Sequence, residues 1–232
     1  METRWHQAVD MHDWLAQALA WVDRAESRAL ARHGAFHIVL AGGGTPRLLY
    51  QALARETHDW GAWHVWLGDE RCLPPDDPER NSHMVQDSLL QSTSIPPKQF
   101  HPIPAELGPE LAATHYAESL TGTHAFDLVL LGLGEDGHTA SLFPGHDWGT
   151  SIEAAPVLPV HDAPKPPAER VSLSARRLAQ AREVLFLVTG AGKRHAIARW
   201  RAGEALPASA IHPIDGVDVL LTIDSMPSGV HA

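Results

Sequence analysis

The stretch FDLVLLGLGEDGHTASLFPG, Phe126 to Gly145, runs from an unbroken apolar segment into glycines, two carboxylates and a histidine. Between Asp127 and Gly132 every residue is Leu or Val. A strand that is apolar on both sides of its pleat must be covered on both faces, which is the condition of an interior strand in a parallel sheet. In open α/β sheets ligands sit beyond the carboxyl ends of such strands. That position presents Glu135, Asp136 and His138 on a glycine-rich turn, so the chemistry is expected there.

Working outward, strand-like and helix-like segments alternate along the whole chain, the pattern of an α/β domain with a mainly parallel sheet and helices on both faces. The spacing predicts an amphipathic helix over Met11 to His33, a strand AFHIVLAG and a helix from Pro46 to about Arg55. A strand His64 to Asp69 follows, then a Pro-rich turn, a helix over Asn81 to Leu90 and another over Pro109 to Leu120. RVSLS, EVLFLVTG and DVLLTID read as later strands. The segment Pro159 to Arg170 carries four prolines and is expected as a surface loop, since proline suits neither helix interiors nor central strands. No repeat, coiled coil or low-complexity tail is found.

The chain has 232 residues, 44% of them hydrophobic, enough for a substantial core, and is expected to form a single domain over residues 1–232. A formal charge of -10 argues against non-specific nucleic-acid binding and requires a local cationic pocket if the ligand is an anion. Cys72 stands alone, which excludes an internal disulfide and a cysteine-rich zinc site and fits a reducing compartment. Charges interrupt the opening segment, so a soluble, cytoplasmic protein is expected. A monomer is slightly favoured.

Three strand ends carry the candidate site. AGGGTPRLLYQAL, Ala41 to Leu53, offers Gly43, Gly44 and Thr45 as an anion cradle whose amides approach a phosphate closely, with Thr45 as a helix cap and Pro46 at the first helical position. LGDERCLPPDDPERN, Leu67 to Asn81, offers Arg71 for phosphate or carboxylate oxygens, with Asp69 holding its guanidinium. In the third, His138 is the candidate general base, oriented by Asp136 two residues away. GLGEDG spells GxGxxG, but Pro144 and Gly145 leave no room for the helix a dinucleotide site needs. TGAGKRH fails as a phosphate-binding loop, with Leu187 in place of the first glycine and Arg194 in place of Ser or Thr. No compact metal-ligand set or serine-nucleophile elbow appears, so no metal is expected. Lys165, one of three lysines, is placed on the proline-stiffened loop where a cation can close over an anion, and Arg170 lies at the loop's end.

Together GGGTPRLLYQAL, DERCLPPDDPERN, LVLLGLGEDGHTASLFPG, PKPPAERVSLS, VLFLVTGAGKRHAI and LPASAIHP resemble the 6-phosphogluconolactonase family over nearly the whole chain, in the family's order. The glucosamine-6-phosphate deaminase family is similar in fold, but its members typically read DEY and DGHIAFNEP where this chain has DER and DGHTASLFP. The resemblance implies a Rossmann-like fold of the glucosamine-6-phosphate deaminase/ribose-5-phosphate isomerase type. It also implies hydrolysis of 6-phospho-D-glucono-1,5-lactone to 6-phosphogluconate in the oxidative pentose phosphate pathway, without metal or organic cofactor. His138 would activate water, Asp136 would support it, and Arg71 and Lys165 would bind phosphate with the amides of Gly43 to Thr45. Amides of the Gly132 to Gly137 turn are expected to hold the oxyanion. Gly44 departs from the family's usual serine, which removes one hydroxyl donor. The rival readings are an aminosugar-phosphate deaminase, which would release ammonia, and a non-catalytic sugar-phosphate sensor.

Overall fold

The structure, a computed structural model, describes residues 2–227. In chain order its elements are β1 (Thr3–Ala8), α1 (Met11–His33), β2 (Phe36–Leu40), α2 (Gly44–Leu53), β3 (Trp63–Leu67), β4 (Asp69–Arg71), α3 (Asn81–Ser88) and β5 (Phe100–His101). These are followed by α4 (Pro109–Ser119), β6 (Phe126–Gly132), β7 (Val157–Val160), β8 (Arg170–Leu173), α5 (Ala175–Ala179), β9 (Ala181–Val188), α6 (Arg194–Arg201) and β10 (Val217–Thr222). Short 3-10 turns join several of them.

Seven strands form a parallel sheet in the order β1-β10-β9-β6-β2-β3-β5. β6 lies at its centre, and six of its seven residues are buried, Gly132 alone being partly open. Each buried Leu or Val there contributes about 1.5–3 kcal/mol relative to exposure. The bounds of α1 agree with those expected: Asp10 accepts a hydrogen bond from the Asp13 amide at its start, and Gly34, at φ 76°, ends it by donating to the Leu30 carbonyl. Its buried Trp14, Ala18, Val22, Ala25 and Ala29 recur every three or four residues and make one apolar stripe.

The order of the strands locates the cleft. From β1 through β2 and β3 to β5 the chain steps one way across the sheet; from β5 through β6 and β9 to β10 it steps back. Right-handed crossovers therefore put α1, α2 and α3 on one face and α4 and α6 on the other. The connections leaving β2 and β6, which are neighbours, depart to opposite faces. Such a switch point opens a crevice at the carboxyl ends of the two strands.

Three differences from the sequence reading are instructive. β1, TRWHQA, is mostly polar and half exposed, with no strand period; it exists because it pairs along β10, where Asp218 receives Arg4 at 2.7 Å and His6 at 2.7 Å. Asp69 to Arg71 does not extend β3. After Gly68 it forms β4, which joins β8 and β7 in a separate antiparallel sheet of order β4-β8-β7. RVSLS therefore lies outside the parallel sheet, and Pro159 occupies the edge strand β7, a position that needs no amide donor. Among the described residues no helix is long and apolar enough to cross a membrane.

Candidate active site

A cleft of about 350 Å³ lies at this crevice, walled by the turns after β2, β6 and β9 and by the small antiparallel sheet. A larger hollow of about 760 Å³ sits at the opposite, amino ends of β6 and β9, beside Asp127 and Arg182, but Gly43, His138 and the other expected site residues do not line it.

The turn after β2 is bare backbone. Gly43, at φ 106°, reaches a conformation that side chains resist and leads directly into α2, whose first turn begins at Gly44 rather than Pro46. Pro46 is thus the third helical residue, tolerated because the first four amides of a helix lack internal partners anyway. No side chain caps α2. Thr45, expected as the cap, instead pairs its hydroxyl with that of Thr189 at 2.6 Å, tying this turn to the end of β9. A Cβ added at Gly44 would meet nothing within 4 Å.

In β4 the three charged residues divide their work. Glu70, fully buried, accepts from the amides of Arg71, Asn81 and Ser82 at 2.8, 2.7 and 2.8 Å and so closes the start of α3. Asp69 does not hold Arg71: its carboxylate accepts from Ser141 Oγ at 2.6 Å and from Asn81 Nδ2 at 3.1 Å, and among the described residues no ion pair joins it to Arg71. Asn81 in turn fills the space above Gly42, where a Cβ would fall 2.0 Å from its Oδ1. The Arg71 guanidinium is anchored by the Glu79 carbonyl, and its buried Nε has no hydrogen-bond partner. Arg71 is also the register partner of Arg170 across β4 and β8. Like charges placed opposite each other repel, and an anion between them relieves the cost.

The turn after β6 is closed on itself. Gly134 N donates to His138 O at 2.7 Å, Gly137 N to Gly134 O at 3.1 Å and Thr139 Oγ1 to Gly132 O at 2.8 Å. Two glycine amides expected to serve an oxyanion are therefore engaged within the turn. Asp136 Oδ1 contacts the His138 amide at 3.1 Å and Nδ1 at 2.5 Å. The chain needs glycine at 134 because a Cβ there would fall 2.0 Å from His138 Nδ1. Burial holds the His138 imidazole below its ordinary value, opposed by the Asp136 carboxylate. Burial raises Asp136, but the amide and ring of His138 outweigh it, and the net shift is downward. The pair is thus a neutral imidazole and an ionised carboxylate near pH 7. The ring of Phe143 packs against His138 with centroids 4.8 Å apart.

Lys165 reaches the cleft from the Pro-rich loop. Arg170, only 6% exposed, shapes that loop by donating to the carbonyls of Lys165 at 2.9 Å, Pro166 at 3.3 Å and Pro167 at 3.1 Å while lying over the Phe143 ring. Lys193, in the TGAGKRH segment after β9, also lines the cleft and had no role in the sequence reading. Burial lowers its pKa, opposed by nearby Glu135. The signal for Lys193 was its place at a fourth strand end; the failed nucleotide motif concealed it.

A family model described as glucosamine-6-phosphate isomerases/6-phosphogluconolactonase matches residues 10–220. The chain belongs to this family. Within the isomerase/lactonase family, the 6-phosphogluconolactonase of Synechocystis sp. is 39% identical over 207 residues, covering 83% of this chain and 82% of that protein. The GDH/6PGL endoplasmic bifunctional protein of Homo sapiens is 39% identical over 209 residues, 81% of this chain, and the chain spans 26% of that relative's length. The crystal structure of 6-phosphogluconolactonase from Thermotoga maritima superposes with a TM-score of 0.88 at 27% identity, covering 95% of this chain and 100% of that one. The family and the α/β fold are those expected from the motifs.

Proposed function

We propose that this chain hydrolyses 6-phospho-D-glucono-1,5-lactone to 6-phosphogluconate. The observation that carries this reading is the sharing of one 350 Å³ cleft by a carboxylate-backed neutral imidazole and two arginines set opposite each other. With Nδ1 donating to Asp136, Nε2 of His138 is the free acceptor that takes a proton from water as the water attacks the lactone carbonyl. Collapse of the tetrahedral intermediate breaks the bond to the ring oxygen, which receives that proton from the imidazolium. Asp136 stabilises the imidazolium in between.

The phosphate end is gripped by Arg71, Lys165 and Lys193, with the amides of Gly44 and Thr45 and the Thr45 hydroxyl facing the same space. Asp69 acts indirectly, by fixing Ser141 and Asn81 beneath the substrate. Binding energy from the remote phosphate then orients the carbonyl over His138, which suits a substrate already reactive towards water. A reducing, cytoplasmic setting and action as a monomer belong to the same reading.

The test is a continuous assay on freshly generated lactone, corrected for spontaneous hydrolysis, with His138→Ala alongside. Turnover by the native chain and a loss of about 10²–10⁴-fold in the variant are expected. Ammonia release from glucosamine 6-phosphate would favour the deaminase reading instead, and ligand binding without either reaction would favour a sensor.

A further inference from the structure

The carbonyls of Asp136 and Gly137, the two peptide units that connect the base to its carboxylate, are both held from outside the turn. Arg199, on α6, donates from Nη1 to Asp136 O at 3.2 Å. Ala208 N donates to Gly137 O at 3.2 Å. Leu206, fully buried, presses on the Cα of Gly137 so closely that a Cβ there would fall 2.9 Å from its Cδ2. Gly137 itself stands at φ 92°, so this segment relaxes readily if its supports are removed.

Arg199 is not free to wander. Its fork is filled by Glu204, with Nε to Oε2 at 2.8 Å and Nη2 to Oε1 at 2.5 Å, and the Glu204 amide returns a bond to Arg199 O at 3.0 Å. Ser209 closes the same loop, accepting from Leu206 N at 2.9 Å and donating to Glu204 O at 3.2 Å. With two of its three nitrogens fixed by one carboxylate, the guanidinium presents the third, Nη1, towards Asp136.

We propose that Arg199 is a positioning residue for the Asp136/His138 pair, acting through the Asp136 carbonyl and held in place by Glu204. The proposal rests on the reading of His138 as the base. Arg199 touches no reacting atom; it limits the rotation of the peptide that aims the Asp136 carboxylate at Nδ1. A loss of this support misplaces the imidazole relative to the attacking water without changing the cations that grip the phosphate. Turnover is therefore affected and substrate binding is not.

The experiment measures kcat and KM for lactone hydrolysis in Arg199→Met, Arg199→Lys, Glu204→Gln and His138→Ala, each normalised to folded protein by circular dichroism. Methionine keeps the aliphatic stem and removes the donors. Arg199→Met is expected to lower kcat about tenfold to a hundredfold with KM within about twofold. Arg199→Lys, which retains a cationic donor nitrogen, is expected to recover most of that loss. Glu204→Gln, at an exposed carboxylate, loosens the fork and should lower kcat by a smaller factor of about twofold to fivefold, again at constant KM. A native kcat in Arg199→Met, or equal losses in the Met and Lys variants, would overturn the proposal. Should Arg199→Met not fold, an unchanged kcat in Glu204→Gln overturns it equally. Native turnover in His138→Ala would instead sink the base reading, whereas an inactive His138→Ala beside unaffected Arg199 variants sinks the positioning role alone.

Discussion

The turns after β2 and β6 look alike in sequence, glycine-rich and at the ends of neighbouring strands, yet they use glycine for opposite purposes. In the β2 turn Asn81 fills the space above Gly42, but the next two glycines leave room: a Cβ on Gly44 meets nothing and one on Gly43 only Pro46 at 4.0 Å, and both residues line the cleft. In the β6 turn the absence of a side chain leaves room that is already filled, because the His138 imidazole and the Asp136 carboxylate fold back over Gly134. One turn leaves its backbone open to the cleft; the other uses backbone as a seat for two side chains. Glycine content alone therefore says little about phosphate binding, and what distinguishes the two is the residues that return over them.

The sharpest way to break this contrast is a methyl group. Gly134→Ala should displace the imidazole and lower kcat by about 10²–10⁴-fold, as loss of a general base does, in a protein whose circular dichroism is native. A Gly134→Ala enzyme with near-native kcat would show that the ring does not need the seat. Asp136→Asn comes next, with kcat down by about 10²-fold and a changed imidazole tautomer visible by nitrogen NMR. On the ligand side, Arg71→Met and Lys165→Met should raise KM, by about tenfold to a hundredfold for a lost charge-assisted bond, while kcat changes less. If KM stays put in both, the phosphate lies elsewhere.

His138 is one of several partly buried histidines whose pKa burial depresses. Its pKa is depressed below 6.5, so the neutral base predominates at pH 7; kcat/KM should be flat through neutrality and fall about tenfold per unit only below that depressed value. His37 and His101, stacked in a ladder with His64 and Trp66 near the amino ends of β2 and β3, are pushed down to about 4, chiefly by burial. The unfolded chain binds protons on them more readily, so the stability present above pH 6.5 is lost as pH falls towards 4. Thermal midpoints should follow that window, and His101→Phe should flatten the dependence without altering kcat at pH 7. A midpoint that does not change over that window would argue that the ladder is hydrated. The smallest effect is expected at Gly44→Ser, which the open space accommodates: KM should fall by about twofold to fivefold through one added hydroxyl donor, with kcat unchanged.

Much of this was legible because it is local. The apolar run Leu128 to Leu131 announces a strand covered on both faces, Asp10 and Gly34 bracket α1, and the contact of Asp136 with His138 spans two residues. What escaped depends on partners distant in the chain. β1 is a strand only because β10 lies beside it, and β4 leaves β3 for another sheet because Gly68 and β8 redirect it. Asp69 looked like the partner of Arg71, and residues two apart in a strand do share a face, but its carboxylate is taken by Ser141, 72 residues on, and by Asn81.

The sequence by itself determined the α/β class, the family and the pairing of His138 with Asp136, since strand period, turn residues and short-range hydrogen bonds are all written within a few positions. Tertiary structure alone decided how the cations share the cleft and added Lys193 to them. Arg71 and Arg170 are brought opposite each other by strand register, Lys193 is delivered by the end of β9, and Arg199 reaches the Asp136 carbonyl from 63 residues away. Those distances close only when the sheet assembles, because no local preference of the chain encodes which strand ends become neighbours.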